Sequence, residues 1–282
     1  MIATPAQPSK NGKDSSANEI WLRLRSLPPF NSTAVKLLAQ PVDEEISMSA
    51  VEESLSSDPS LVGQLLVAAN SALFGQRTQV ATIRQALFVV GLDRLRAMVA
   101  TVATSAYMRT LSPEAVRPIW AHGVATAVIA EHLAKYSDKV SGSLMYTAGL
   151  VHDLGRLGMM ASESEAYKAF LFAEHPDLEE SEHREKALFG MTHTVAGDFL
   201  MRTWGFPETL CRQARNHHDD TGKDPEPEQI IQSACLLADE MGYPELRLQS
   251  AGQSSALQRW QGKCLHDSCR DLVEERVREF LK

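Results

Sequence analysis

Apolar residues in this chain recur at intervals of three and four and almost never alternate, which leaves little room for a sheet. The stretch DPSLVGQLLVAANSALFG (58–75) shows the pattern. Asp58 stands as an N-cap, Pro59 takes the first helical position, and Leu61, Leu65, Leu66 and Ala69 recur at helical spacing. SAVE (49–52) and TIRQ (82–85) fit the capping box, and Gly91 stops the helix that Thr82 starts. Another helix is expected over LDRLRAMVATVATSAYM (92–108), after which Ser112-Pro113 breaks the pattern. Helices are then expected near 113–136, 143–153, 163–174, 182–203, 207–217 and 226–242, with an amphipathic one in LHDSCRDLVEERVREFL (265–281). The fold class expected is all-α: a disordered polar arm over 1–16, an N-terminal helical subdomain over 17–111, a second helical subdomain over 112–242 and a C-terminal helical extension over 243–282.

Composition limits the function classes. A net charge of −8 argues against a duplex-binding surface, since affinity for DNA rests largely on phosphate neutralisation, so no DNA partner is expected. No apolar run reaches the length of a membrane span and the N-terminus has no apolar signal core, so a cytoplasmic protein is expected. The four cysteines form no CxxC pair. Cys211 and Cys235 sit in apolar helical contexts and read as reduced core residues; Cys264 and Cys269 read as a reduced pair rather than a zinc site.

AGLVHDLGRLGM (148–159) sets His152 and Asp153 inside an apolar run, where a carboxylate and an imidazole each need a partner. Similar settings hold His122 in WAHGVATAVIAEHLA, His193 in FGMTHTVAGDFL, His217-His218 in ARNHHDD and Asp239 in ACLLADEMG. Singly, His122 reads as an interior histidine, His217-His218 as a polar helix end that suits the macrodipole, Asp239 as a surface carboxylate and Asp153 as a helix ending. Jointly, seven candidate ligands on five segments share one apolar, helical setting, and a helical core can converge such side chains. Neutral imidazoles suit iron, zinc, manganese or nickel, and a carboxylate adds charge and can bridge two ions. Two such metals about 4 Å apart can clamp a phosphoryl group. Divalent metal, one ion or two, is therefore the cofactor expected. His132, His175, His183 and His266 lie in charged or polar surroundings and read as surface residues. Asn70 and Ser71 read as a helix end, and Arg94 and Arg96 as a solvated face.

The order His, His-Asp, late Asp resembles the HD superfamily of metal-dependent phosphohydrolases. LRSLPPFNSTAVKLLAQP, DPSLVGQLLVAANSALFG and IRQALFVVGLDRLRAMV narrow the resemblance to the HDOD family, the HD-related output domain of bacterial signalling proteins, from about residue 20 to about 242. That resemblance implies an N-terminal helical subdomain packed on an HD-like one, and a regulatory role with a signalling protein as partner. The ligand pattern of the HD-GYP relatives, which hydrolyse cyclic di-GMP at a bimetal centre, carries over onto His122, His152, Asp153, His193, His217, His218 and Asp239. Two features depart from it. The segment DDTGKDPEP after His218 contains no Gly-Tyr-Pro, and Arg156 stands where a phosphate-binding lysine is expected. Asp153 and Arg156 are the residues expected to carry any catalysis, on a nucleotide or other phosphoester. Three readings follow: a regulatory module, a metal-dependent phosphohydrolase, and a sensor that binds metal or nucleotide without turnover.

Overall fold

The computed structural model describes residues 14–39, 48–70, 79–111, 113–219, 226–249 and 267–280. Its helices are α1 (Asp14–Ser26), α2 (Ser32–Leu38), α3 (Met48–Ser56), α4 (Pro59–Ala69), α5 (Ile83–Val90), α6 (Leu92–Met108), α7 (Pro113–Ala134), α8 (Gly142–Val151), α9 (Leu154–Ser162), α10 (Ser164–Phe172), α11 (Leu178–Phe189), α12 (His193–Trp204), α13 (Glu208–Asn216), α14 (Glu226–Glu240) and α15 (Asp267–Phe280). Two dipeptide strands, β1 (Glu174–His175) and β2 (Arg247–Leu248), pair in parallel. The fold is all-α in substance.

Local chemistry sets the boundaries. The Thr82 hydroxyl accepts from the Gln85 N–H while the Gln85 amide oxygen accepts from the Thr82 N–H, so the capping box of TIRQ is real. Asp58 caps α4 through the Leu61 N–H at 2.9 Å and also accepts from Asn31, the N-cap of α2, at 2.6 Å. SAVE does not cap, because α3 already begins at Met48. The single helix expected over 182–203 is two. Gly190, in the left-handed region at φ 74°, ends α11, and Thr192 caps α12 through the Val195 N–H. α9 was not anticipated, because its glycines, Gly155 and Gly158, lower helix propensity. α1 begins at Asp14, inside the stretch 1–16 expected to be an arm; residues 1–13 lie outside the described residues, as do Ser71, Cys264 and His266.

α7 is the central helix, packed on α8, α14 and α15, while α9 pairs with α12 and α6 with α8. α2 to α6 form a group of their own, but α1 packs chiefly on α9, α11 and α12, with Trp21 edge-on to Phe199 at 4.8 Å. Phe30 and Tyr107 meet Trp204 and Phe206 with ring centroids 5.2–6.1 Å apart, an aromatic contact that fastens the first group to the rest. One continuous hydrophobic core runs through both. Among the described residues no helix is long and apolar enough to cross a membrane.

Two surface expectations fail. His175 is buried, its Nε2 donating to the Phe170 carbonyl at 3.0 Å, because the β1–β2 pairing covers it. Arg96 is buried beside Asp93, at 3.8 Å, while Arg94 is exposed; they cannot share a solvated face because side chains two apart on a helix do not point the same way. Asn70 does close a helix end: its amide donates to the Leu66 and Val80 carbonyls and accepts the Val80 N–H, tying α4 to the chain ten residues on.

Candidate metal centre

The His152-Asp153 pair occupies a joint between helices. His152 follows the last residue of α8 and Asp153 precedes the first of α9, so their side chains leave in different directions from adjacent backbone. Glycines let the neighbouring helices close on that joint. A Cβ on Gly149 would stand 2.8 Å from the Ala127 Cα of α7, and one on Gly155 would stand 1.9 Å from the His193 carbonyl oxygen of α12. α7 brings His122, α12 brings His193 at its first turn, and α13 delivers His217 and His218 just past its C-terminus. All of these but His218, which is half-buried, are buried, and Asp153 is only 4% exposed.

Each ring is tethered by its Nδ1. His152 Nδ1 donates to the Gly149 carbonyl at 2.6 Å, His217 Nδ1 to the Ala214 carbonyl at 2.9 Å and His122 Nδ1 to the Tyr243 carbonyl at 2.9 Å. His193 Nδ1 donates to Glu185 at 2.8 Å and His218 Nδ1 to Glu182 at 2.8 Å. A carbonyl or carboxylate only accepts, so the proton is on Nδ1 and the Nε2 lone pair is left for another partner. Burial pushes His152 down to about 3 and also lowers His217 and His218, which keeps these rings neutral.

Those lone pairs face Asp153. Its Oδ1 lies 3.6 Å from His193 Nε2 and 3.5 Å from His217 Nε2, and its Oδ2 lies 3.4 Å from His152 Nε2. None of these atoms has a hydrogen-bond partner among the described residues. At His152 and His217, both neutral, this sets acceptor against acceptor in a buried site, which is unfavourable without a cation between them; His193, raised by Glu185 against the pull of burial, would give up a proton to an entering ion. With bonds of 2.0–2.2 Å, two N/O ligands of a tetrahedral ion stand about 3.4 Å apart, so the separations fit a metal. Three groups of close ligand atoms result among the described residues: His122, His152, Asp153 and Glu245; His122, His152 and Cys235, which shares the first group's two histidines; and His193, His217 and His218.

A protein cation also stands here. Arg156, fully buried, pairs with Glu245 at 2.6 Å and lies 3.5 Å from Asp153 and 3.7 Å from Glu185. Tyr167 donates to Glu185 at 2.5 Å and Arg156 touches the same hydroxyl at 3.4 Å. Burial would raise both Asp153 and Glu185. For Glu185 the His193 imidazole and the Arg156 guanidinium override it and hold the carboxyl down at about 2; for Asp153, beside a neutral His152, the Arg156 guanidinium holds the carboxyl well below the usual carboxylate range. For Glu245, burial prevails over the pull of Arg156 and lifts the carboxyl to about 8.

Of the residues expected to form the site, His122, His152, Asp153, His193, His217 and His218 converge. Asp239 stands beside His122 as well, its Oδ1 3.2 Å from Nδ1, buried and without a hydrogen-bond partner among the described residues. Arg156 reaches the centre with its guanidinium already engaged. The sequence reading missed three contributors. Glu185 was legible as the one charge on the buried stripe Ser181, Glu185, Phe189 of α11. Glu245 follows α14 in irregular chain, where no periodicity marks it. Cys235, read only as core, places Sγ 3.4 Å from His122 Nε2. The segment where Gly-Tyr-Pro is missing falls mostly at 220–225, outside the described residues.

A helical protein with an HD joint at the meeting point of converging histidines is defined by these features, and similarity narrows the class. The HDOD domain profile matches residues 27–220. The chain belongs to the HDOD family. Its fold is similar to that of an HDOD domain protein of unknown function from Geobacter sulfurreducens, with a TM-score of 0.64, 20% identity and 95% of each chain covered. A Shewanella amazonensis SB2B protein provisionally named a phosphohydrolase aligns with a TM-score of 0.68 at 19% identity, over 94% of this chain and 98% of that one. A curated Treponema pallidum (strain Nichols) protein of uncharacterized function is 23% identical over 198 residues, and the chain spans 38% of its length.

Proposed function

We propose that this chain is a bacterial signal-transduction regulator, acting in the cytoplasm, whose HD-like centre binds divalent metal and turns over phosphoesters slowly or not at all. His122, His152, Asp153, Glu245, His193, His217 and His218 would hold the ion or ions, with Asp239 beside His122, and Glu182 and Glu185 would orient two of the rings. When bound, the metal supplies Lewis acidity and a counter-charge for a phosphoryl group. The observation that carries the low turnover is the state of Arg156 and Asp153: both are buried, and the guanidinium is hydrogen-bonded to Glu245 at 2.6 Å, with Asp153 at 3.5 Å and Glu185 at 3.7 Å. A phosphate or nucleotide would reach Arg156 only by displacing Glu245. Output would then pass through a signalling protein partner. Exposed apolar side chains on α4 and α5, Val67 at 74% and Phe88 at 77% exposure, support a protein contact there.

A second reading, a metal-dependent phosphohydrolase, draws on two separate ligand groups standing side by side, as a two-metal centre requires. The test is metal-reconstituted protein assayed against cyclic di-GMP, linear dinucleotides, nucleoside monophosphates and a chromogenic phosphoester. The regulatory reading expects rates at the level of the metal-only blank. Robust metal-dependent turnover that disappears in Asp153→Ala would replace it with the enzyme.

A further inference from the structure

The centre has a corner that the expected set of histidines and aspartates does not describe. Cys235 lies on α14, one turn before Asp239, and is buried. Its Sγ stands 3.4 Å from His122 Nε2, which also has the Thr126 hydroxyl at 3.4 Å. His122, His152 and Cys235 each offer a ligand atom, all within 4.8 Å of one another. The His152 Nε2 in that group is buried and has no hydrogen-bond partner among the described residues. Metal–sulfur and metal–nitrogen bonds of about 2.3 and 2.0 Å at a tetrahedral angle put sulfur and nitrogen about 3.5 Å apart. The observed Sγ···Nε2 separation matches that edge.

We infer that Cys235 is a metal ligand, giving the His122–His152 corner a thiolate and a preference for zinc or ferrous iron over manganese or magnesium. The inference rests on the metal-binding reading above. Sulfur is the soft donor of the centre, and soft thiolate favours zinc and iron while oxygen-only sites favour the harder ions. Forming the metal–sulfur bond requires the thiol to give up its proton, which leaves to solvent as the ion enters. The competing role for Cys235, a small apolar side chain whose S–H donates weakly to His122, predicts no thiolate charge-transfer band on cobalt loading.

The test uses the full chain stripped with a chelator and reloaded with cobalt(II), with bound cobalt quantified separately. Thiolate ligation gives a near-ultraviolet sulfur-to-cobalt charge-transfer band. That band is expected in the wild type and in Cys211→Ala, whose thiol is buried away from the centre beside the Phe206 carbonyl. It should be lost in Cys235→Ala and Cys235→Ser. Zinc affinity should fall more than about 100-fold in both Cys235 variants, beyond the loss expected when only an outer partner is removed. Cobalt bound stoichiometrically without the band would overturn the thiolate ligand and leave the metal-binding reading standing. No cobalt bound at all would overturn both. Should Cys235→Ala fail to fold, the band of the cobalt-loaded wild type and its absence in the serine variant still decide the matter.

Discussion

In α2 to α5 the polar side chains at the helix ends close on one another, whereas between α7 and α14 they converge and stop short. Asn31, Asp58 and Asn70 are spent on backbone groups and on each other at 2.6–2.9 Å, which is what caps and turn clamps require. At the HD joint the polar groups are buried imidazoles and carboxylates, each ring is tethered at Nδ1, and the Nε2 atoms of His152, His193 and His217 end 3.4–3.6 Å from Asp153. The first region is built to hold itself; the second is pre-organised for an added cation. Arg156 already supplies part of that charge, with Glu245 at 2.6 Å and Asp153 at 3.5 Å.

The sharpest way to break this contrast is to remove the internal cation. Arg156→Met should destabilise the chelator-treated protein by about 3–5 kcal/mol, because it strands Asp153, Glu185 and Glu245 in a buried site. Urea unfolding measures it, and zinc should recover part of the loss. Equal destabilisation with and without zinc would mean that metal and guanidinium do not share a charge role.

Metal itself should separate the two regions next. Zinc at about 100 times its dissociation constant should raise the unfolding free energy of the wild type by about 2.7 kcal/mol, through preferential binding to the folded state. In Asp153→Ala the increment should vanish while the far-ultraviolet helical signal persists. A full increment in that variant would put the ion elsewhere.

Asn31→Ala sharpens the comparison from the other side. It removes the α2 cap and the bond to Asp58, at a cost of about 1 kcal/mol that zinc leaves unchanged. A zinc-dependent cost would mean that the α2 cap and the metal centre are energetically coupled.

Helix order was legible because caps and apolar spacing are local: TIRQ, Asp58-Pro59 and Gly91 each carry their own stop or start. The Gly190–Thr192 break hid because a glycine and a threonine inside an apolar pattern read equally well as mid-helix residues. At the site, the histidines stood out as polar residues in apolar runs. Glu245 and the part played by Cys235 did not, since one sits in irregular chain and the other resembles any core residue until His122 is placed beside it. Asp239 was legible from chain order as a member of the set, which places it beside His122 without saying which ring nitrogen it meets.

The central claim is that the Nε2 atoms around Asp153 hold a divalent ion. Chelator-stripped wild type and Asp153→Ala, equilibrated side by side with zinc or, under anaerobic conditions, ferrous iron and then dialysed, can be compared by elemental mass spectrometry. Retention of one or two equivalents per chain by the wild type, and of none by Asp153→Ala, is the predicted result. No retained metal in correctly folded wild type would contradict the account.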